Sequence, residues 1–258
     1  MSEPPTEPRR LHVRELEPLA ILWVHAFPLD GRMWRAPCEQ LTGYRHLIPD
    51  LPGFGDSAPT RGPLTMEGAA DMLVEVLDGR KIERAVTIGC SMGGYIALAL
   101  ARNHPDRLRA LVLVDTRAEA DSEEQRKNRE TFAETVLRDG VGAARDALLP
   151  KLLASSEGPA ASFVTEMIEA ASPEGIANAL RGMGQRADST AQLSQVRVPT
   201  LVLVGEEDQL TPKELAAALA AGIPGARLEV IPGAAHLPPV EAPGQTARAL
   251  GAFLKGLR

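Results

Sequence analysis

Six short apolar runs recur along the chain, and most are separated by segments whose apolar residues return at helical spacing. The runs are rich in Val, Leu and Ile, which is typical of parallel strands that are buried on both faces. The segments 66–79, 93–103 and 212–222 resemble helices, and the last has Pro near its start and Gly at its end. This alternation predicts an α/β fold with a doubly wound, mostly parallel sheet. The predicted strands cover residues 19–25, 44–49, 85–90, 108–115, 199–205 and 226–232.

The interval from Arg117 to about Gln195 breaks this alternation. It contains helical patterns punctuated by Gly and Pro, but no convincing strand. Because about 80 residues is too long for a loop within a compact domain, we interpret the interval as a helical insertion over one end of the sheet. Parallel α/β sheets bind ligands beyond the C-terminal ends of their strands. The sequence therefore predicts a core of residues 1–116 and 196–258 and a helical cap, or lid, of residues 117–195.

Composition and charge narrow the class of protein. The 258 residues suit one large α/β domain, and 44% hydrophobic with 24% charged residues is ordinary for a globular protein. The net charge is −6, and no basic run is present that would follow a nucleic acid backbone or an anionic membrane. Residues 1–9 are interpreted as a loose tail without a signal-peptide core, and no segment has the roughly 18 apolar residues of a membrane helix. We expect a cytoplasmic protein, monomeric or homodimeric, without nucleic acid or membrane partners.

The two cysteines, Cys38 and Cys90, predict neither a disulfide framework nor a metal site. Two thiols in a chain of this length are too few for a disulfide scaffold, and their spacing is not that of metal ligands. Cys90 is therefore interpreted as a small core residue rather than a reactive group.

The stretch IGCSMGG, residues 88–94, places Ser91 in a Gly-x-Ser-x-Gly pattern. Alone, this pattern is weak, because a plain glycine-rich turn produces it too. Here a predicted strand ends at the motif and a predicted helix begins directly after it, which is the setting of a nucleophile elbow. The serine hydroxyl would lie at the positive end of the helix dipole, which favours a developing oxyanion. We therefore predict that Ser91 is a nucleophile.

A serine nucleophile requires a base, and the chain has five histidines. His236 lies in the turn-rich segment IPGAAHLPPVEAP, after the last predicted strand and before the final helix. His12 and His46 lie in strand-like runs, and His104 follows the helix after Ser91, at the opposite end of the sheet. His25 ends the first strand and could also lie near the site. His236 is the predicted base.

A carboxylate should hold the histidine in the correct tautomer. The segment GEEDQLTP offers Glu206, Glu207 and Asp208 directly after a predicted strand. Asp208 precedes the next helix signal and is best placed to turn inward, whereas the two glutamates are expected to face solvent. Asp115, at the end of the LRALVLVD strand, is a competing candidate whose other interpretation is a cap or hinge residue. Asp208 is the predicted acid.

The order Ser91, Asp208, His236 is that of α/β-hydrolases, and the chain resembles this family along almost its entire length. Three further motifs carry the resemblance. HAFPLDGRMW (25–34) resembles the oxyanion loop, DLPGFGDSAP (50–59) resembles a structural turn, and VPTLVLVGEEDQLTP (198–212) resembles the acid loop. The resemblance implies the α/β-hydrolase fold with a helical cap inserted after its sixth strand.

The resemblance also implies an oxyanion hole formed by the backbone N–H groups of Phe27 and Met92. One position departs from the family pattern, because Ala26 stands where the oxyanion loop usually has glycine. The donor in this family is the amide of the following residue, so the methyl group would act only through the freedom of the backbone. No cofactor or metal is expected.

The expected reaction is acyl transfer from a small or medium apolar ester or lactone, with Ser91, His236 and Asp208 as the catalytic residues. The chain resembles small carboxylesterases and enol-lactone hydrolases; epoxide hydrolases and haloalkane dehalogenases have Asp where this chain has Ser91. Alternatives that use the same fold are a carbon–carbon bond hydrolase or lyase, a cofactor-free perhydrolase, and a ligand receptor. Several apolar residues are candidates for the pocket, although apolar residues of this kind are more often part of the core. They are Phe27, Leu29, Trp34, Met92, Phe132, Phe163, Met167, Met183, Leu210 and Leu237.

Overall fold

A computed structural model describes residues 18–257 of the protein. The predicted tail of residues 1–9 and the strand-like run around His12 lie outside the described residues.

A six-stranded sheet forms the centre of the molecule, and every neighbouring pair of strands is parallel. All six predicted strands occur, each within about two residues of its predicted limits. The spatial order is β2-β1-β3-β4-β5-β6, so the prediction of a doubly wound parallel sheet is confirmed. The strands are β1 (Ala20–Val24), β2 (Arg45–Leu47), β3 (Ala85–Cys90), β4 (Leu108–Val114), β5 (Thr200–Gly205) and β6 (Arg227–Ile231).

Both faces of the sheet are covered, because successive residues of its central strands belong to two different apolar clusters. In β4, Val112 and Val114 lie in one cluster, whereas Leu111 and Leu113 lie in the other. A strand buried on both faces has no polar side and reads as a continuous apolar run, which is why the sequence revealed it. The helices outside the interval 117–195 are α1 (Arg35–Gln40), α2 (Met66–Asp78), α3 (Met92–Asn103), α8 (Lys213–Gly222), α9 (Pro238–Glu241) and α10 (Pro243–Lys255).

Four helices and no strand occupy the interval between β4 and β5, apart from a short 3-10 segment before β5. The first helix has a complete capping box, in which Ser122 and Gln125 satisfy each other's backbone N–H groups. These helices follow the fourth strand among residues 18–257, whereas the prediction counted that strand as the sixth of the fold. They are α4 (Glu123–Asp139), α5 (Val141–Leu152), α6 (Pro159–Ala170) and α7 (Pro173–Gln185).

The strand order reverses at β1, which has β2 on one side and β3 on the other. Doubly wound sheets bind ligands in the crevice beyond the C-terminal ends of the strands at such a point. Phe27 follows β1 and Ser91 follows β3, so two of the predicted site residues lie there. Within residues 18–257, no helix is long and apolar enough to cross a lipid bilayer.

Candidate active site

Ser91 occupies the single-residue turn between β3 and α3. Its φ of 52° and ψ of −113° lie outside the regions that a non-glycine residue normally adopts. Its N–H donates to the Val114 carbonyl at 2.9 Å, and its own carbonyl accepts from the Thr116 hydroxyl at 2.9 Å. Hydrogen bonds from the neighbouring strand therefore hold the strained turn on both sides of the residue.

The glycines around Ser91 are required for the close approach of strand and helix. A Cβ at Gly89 would collide with the carbonyl of Gly93, and a Cβ at Gly93 would collide with the carbonyl of Val24. Neither obstacle is a flexible side chain, so the backbone itself would have to move. The predicted steric role of the motif is met by this geometry.

His236 lies in the loop between β6 and α9, and its imidazole is almost completely buried. Nε2 is 2.8 Å from the Ser91 Oγ, and Nδ1 is 2.8 Å from the Asp208 Oδ2. The structure therefore brings together the predicted nucleophile, base and acid, which are contributed by three different loops. This arrangement allows the imidazole to take a proton from the serine hydroxyl while the carboxylate stabilises the resulting charge.

Asp208 is fixed by the loop that follows β5. Its Oδ1 accepts from the N–H groups of Leu210 and Thr211 at 2.8 and 3.1 Å, and its Oδ2 accepts from the Thr211 hydroxyl at 2.6 Å. Burial alone would raise the pKa of Asp208, but hydrogen bonds and charge from His236, together with Thr211 and Asp115, lower it well below its usual range. The Asp208 side chain therefore remains a carboxylate.

Asp115, the competing acid, lies next to Asp208 but makes no hydrogen bond to His236. It directly follows β4 with a positive φ of 43°, and its Oδ1 accepts from the Gly205 N–H at 2.8 Å. Burial and the neighbouring Asp208 charge raise the pKa of Asp115 well above its usual range. The protonated form of Asp115 is therefore favoured, and in that form it can donate to the adjacent Asp208 carboxylate.

Asp115, Asp208 and His236 together have the donor types of a metal site, with one atom of each within 4.8 Å of the others. Their polar atoms already bond to one another and to Thr211. A protonated Asp115 cannot serve as a ligand without losing that proton. The cluster is better described as a hydrogen-bonded chain of acid, carboxylate and imidazole.

The remaining candidate residues have other surroundings. The buried His25 lies between the Ala26 carbonyl, 3.0 Å from Nδ1, and the Leu51 N–H, 2.9 Å from Nε2, and burial lowers its pKa. His46 contacts the Trp23 indole N–H and the Leu41 carbonyl, and His104 contacts Asp71 at the surface. The other candidates lie outside the hydrogen-bonded chain of acid, carboxylate and imidazole. Glu206 and Glu207 are exposed, as expected. Burial raises the pKa of the Cys90 thiol well above its usual range, in agreement with an unreactive core residue.

A cavity of about 440 Å³ opens onto Ser91 and His236. The cavity lies between the loops at the C-terminal ends of the strands and one face of each of the helices α4, α5 and α7. Most of its wall is apolar. Four of the predicted pocket residues line it, namely Phe27, Phe132, Met183 and Leu210. The other predicted pocket residues do not line it, and most are fully buried in the core: Leu29, Trp34, Met92, Phe163, Met167 and Leu237.

Sequence reasoning missed the polar side chains of this cavity. Gln125, Asn128 and Arg129 from α4 lie at its wall, with Lys151 from α5 and Arg117 from the segment after β4. Together with Phe132, the α4 residues have the i, i+3, i+4, i+7 spacing of one helix face, which could have identified that face. Apolar periodicity alone did not, because the face is mostly polar.

Comparison with known proteins assigns the chain to a family. A family model described as the alpha/beta hydrolase fold matches residues 20–243. The chain belongs to the α/β-hydrolase family. A thermophilic esterase from Thermogutta terrifontis, solved with malate bound, is similar, with a TM-score of 0.90 and 42% identity over 93% of this chain and 90% of that one.

Two further proteins similar to this α/β-hydrolase are named for different activities. The enol-lactonase from Burkholderia xenovorans LB400 has a TM-score of 0.86 and 27% identity, covering 94% of each chain. A pimeloyl-[acyl-carrier protein] methyl ester esterase from Neisseria meningitidis is 33% identical over 199 residues, which are 73% of this chain. The match spans 61% of the length of that esterase. These names agree with the prediction of a hydrolase that acts on esters.

The loop after β1 is where this α/β-hydrolase departs from the family pattern. Ala26 does not have a positive φ, so its methyl group is compatible with the backbone that the loop adopts. Among the described residues, neither the Phe27 N–H nor the Met92 N–H donates to another protein group. Both amides are therefore free for a ligand oxygen, and their role as oxyanion donors stays a prediction.

Proposed function

We propose that this protein is a serine hydrolase that cleaves carboxylic esters through an acyl-enzyme. The observation that carries the proposal is the continuous hydrogen-bonded path from the Ser91 Oγ through the His236 imidazole to Asp208, with both distances at 2.8 Å. Such a path activates a hydroxyl that is a poor nucleophile on its own. The strained turn at Ser91 directs this hydroxyl into the cavity.

In the first half of the proposed reaction, the Ser91 Oγ attacks the ester carbonyl while His236 Nε2 takes its proton. The carbonyl oxygen becomes an oxyanion, which accepts hydrogen bonds from the Phe27 and Met92 amides. The imidazolium is stabilised by the Asp208 carboxylate, and it then protonates the departing alcohol. The products of this half are the free alcohol and an ester between the acyl group and Ser91.

Water completes the proposed cycle. His236 takes a proton from a water molecule, whose oxygen attacks the acyl carbonyl and again forms an oxyanion at the same two amides. Collapse of this intermediate returns the proton to the Ser91 Oγ and releases the carboxylic acid. An oxyanion donor typically contributes about 3 kcal/mol to the stability of such an intermediate. The proposed chemistry uses only side chains and amides of the protein.

The proposed substrates are small to medium esters or lactones with an apolar acyl or alcohol part. A volume of about 440 Å³ and walls from Phe27, Phe132, Leu152 and Leu180 favour this class over large esters. The similarity to a methyl ester esterase and to an enol-lactonase supports both ester and lactone substrates.

We also propose that residues 117–195 act as a helical cap over Ser91. Helices α4, α5 and α7 supply one wall of the cavity, and Ser91 and His236 lie on the opposite wall. Helix α7 is anchored to the loop before α2, since Leu64 N–H donates to the Asn178 carbonyl at 3.0 Å and the Asn178 amide donates to the Thr60 carbonyl at 2.7 Å. A cap held in this way limits the access of water to the cavity.

The proposal is tested with a fluorophosphonate probe and a panel of short-chain esters and lactones. The wild-type protein should be labelled at Ser91 and should turn over at least one ester class, and Ser91→Ala should abolish both while remaining folded. Turnover retained in Ser91→Ala would refute the mechanism. Labelling without turnover would favour a ligand receptor, and cleavage of a diketone in preference to esters would favour a carbon–carbon bond hydrolase.

A further inference from the structure

The charged residues of the cavity all have the same sign. Arg117, Arg129 and Lys151 line the cavity that contains Ser91 and His236, and no Asp or Glu side chain of the described residues lines it. The protein as a whole has a net charge of −6. A cationic cavity in an acidic protein is a local feature of the site and does not follow from the average composition.

A single carboxylate holds the guanidinium groups in place. The fully buried Asp121 accepts from Arg117 Nη2 at 3.0 Å and from Arg186 Nη1 at 2.8 Å through Oδ1, and from Arg129 Nε through Oδ2. One carboxylate thus pairs with three guanidinium groups, so these four side chains together have two positive charges in excess. Glu119 and Asp188, two further acids near the cluster, form no ion pair with these arginines within the part of the chain described.

Two of the three guanidinium groups lie at the cavity wall. Arg186 does not line the cavity; its guanidinium stacks over the Tyr95 ring at 4.2 Å and donates to the carbonyls of Met183 and Glu119. Arg117 and Arg129 line the cavity instead. Their positions are fixed by Asp121, so an anion that binds them need not order flexible side chains first.

The guanidinium groups of Arg117 and Arg129 both have N–H groups that make no strong hydrogen bond among the described residues. Arg117 donates one hydrogen bond among residues 18–257, to Asp121, and Arg129 Nη1 contacts only the weakly accepting Met183 sulfur at 3.6 Å. Lys151, at the end of α5, forms no ion pair in the same part of the chain and is exposed at the cavity wall. Planar guanidinium groups with free N–H donors match the geometry of a carboxylate.

We infer that Arg117, Arg129 and Lys151 form an anion subsite that selects esters with a free carboxylate at the end remote from the scissile bond. This inference rests on the proposed ester hydrolysis at Ser91 and adds its substrate class. The apolar side chains of Phe132, Leu148 and Leu152 share the cavity with the cations and would contact the hydrocarbon chain between the two functional groups. The substrate class is therefore the half-ester of a dicarboxylic acid.

The test compares methyl esters that differ only in their remote group. One series ends in a carboxylate, one in the isosteric neutral carboxamide and one in a phosphonate, and methanol release is measured for each chain length. We expect the wild-type kcat/KM to be about tenfold or more higher for the carboxylate than for the carboxamide. The difference should lie mainly in KM, because the remote group binds equally in the ground and transition states, and it should shrink with added salt.

Substitutions of the cationic cavity residues test whether they cause the preference for a remote carboxylate. Arg129→Gln and Lys151→Gln should each lower the ratio of carboxylate to carboxamide kcat/KM several-fold, and Arg129→Lys should recover part of it. Lys127→Gln is the matched control, because Lys127 lies on the same helix, pairs with Glu123 at 3.1 Å and does not line the cavity. Its ratio should equal that of the wild type. If Arg129→Gln fails to fold without its contact to Asp121, Lys151→Gln still provides the test.

The outcomes separate this inference from the proposed function. Turnover of the carboxamide ester equal to that of the carboxylate ester would overturn the subsite and leave the esterase intact. A preference that survives in both Arg129→Gln and Lys151→Gln would also overturn it. Faster hydrolysis of the methyl ester with a remote phosphonate than of the one with a remote carboxylate would refute the choice of carboxylate. Absence of turnover together with absence of fluorophosphonate labelling at Ser91 would remove the proposed function and the subsite with it.

Discussion

The pKa values of Asp115 and Asp208 are shifted in opposite directions, and their different hydrogen-bond partners explain part of the difference. Asp208 accepts from two amides and the Thr211 hydroxyl and faces His236, whereas Asp115 has one amide donor and a second oxygen buried without any other donor. Two adjacent buried carboxyl groups cannot both ionise at low cost. The single negative charge therefore resides on Asp208, which is the residue that contacts the imidazole.

Amide substitutions at Asp208 and Asp115 should lower turnover to very different extents. Asp208→Asn should lower kcat by about 10⁴-fold, because the amide favours the wrong histidine tautomer. Asp115→Asn should retain most activity, because an amide can accept from Gly205 and donate to Asp208 as the protonated acid does. Steady-state ester hydrolysis by both variants checks this. A large loss in Asp115→Asn with little loss in Asp208→Asn would reverse the assignment of the acid.

Asp115 should also make stability depend on pH. Because its folded pKa is raised, the folded protein retains a proton that the unfolded chain releases above about pH 4, so this group destabilises the fold increasingly as the pH rises. Asp115→Asn removes that cost. The stability of Asp115→Asn relative to the wild type, measured by urea denaturation, should therefore be greater at pH 8 than at pH 4.5. The exposed Asp106→Asn should show no such difference between the two pH values.

At the scale of elements, the four-residue helix α9 holds the loop that contains His236. The Glu241 carboxylate, at the end of this helix, accepts from the Ala235 and Leu237 N–H groups at 3.0 and 3.2 Å, one on each side of the histidine. Its other oxygen accepts from the Ala154 N–H, just after α5, at 2.7 Å. One side chain thus connects the histidine loop with the helices of residues 117–195.

Glu241→Gln should misplace the imidazole without unfolding the protein. An amide has only one acceptor oxygen, so it cannot serve the three N–H groups that the carboxylate serves. We expect kcat to fall by about tenfold or more and the rate of Ser91 labelling by fluorophosphonate to fall in parallel, since a shift of the base weakens activation of the nucleophile. Glu229→Gln, an exposed position on β6, is the control. An unchanged labelling rate in Glu241→Gln would show that Glu241 does not position His236.

At the scale of the molecule, burial explains how much of the fold could be predicted. The strands β1, β3, β4 and β5 are buried along nearly all of their length and appear in the sequence as apolar runs. The helices of the insertion were also recognisable, because α4 to α7 begin and end near Ser, Gly or Pro signals. Ser91 and Asp208 follow predicted strands, and His236 lies in a turn-rich loop after another. Their order and context therefore indicated that they lie beyond the C-terminal ends of the strands, which is where the structure has them.

The contents of the cavity were less accessible to sequence reasoning, because they depend on how α4 and α5 pack over the sheet. Trp34 was a pocket candidate, but it is fully buried, with its ring 5.0 Å from that of Trp23. Arg117 and Arg129 belong to charged segments that read as solvated helix surface. Only the pairing of both with the buried Asp121 shows that they face inward, and no local pattern encodes a contact between residues brought together by packing.

Asp121 also connects the two ends of the insertion. Its arginine partners are contributed by the segment after β4, by α4 and by the residue that caps α7. Burial alone would raise the pKa of Asp121, but hydrogen bonds and charges from Arg129 and Arg186 lower it. This contribution to stability is therefore present above the unfolded pKa and is lost as the pH falls through the folded one.

Asp121→Asn should consequently destabilise the protein more than any surface charge change. Removing one partner of a buried ionic network leaves charges unpaired, which typically costs about 3 to 5 kcal/mol. The loss should be measurable as a lower denaturation midpoint in urea at pH 7, and it should shrink towards acid pH as the wild-type carboxylate becomes protonated. Asp139→Asn, which removes an exposed pair with Arg138, should change the midpoint little. A small effect at Asp121 would mean that these ion pairs contribute little to holding residues 117–195 in place.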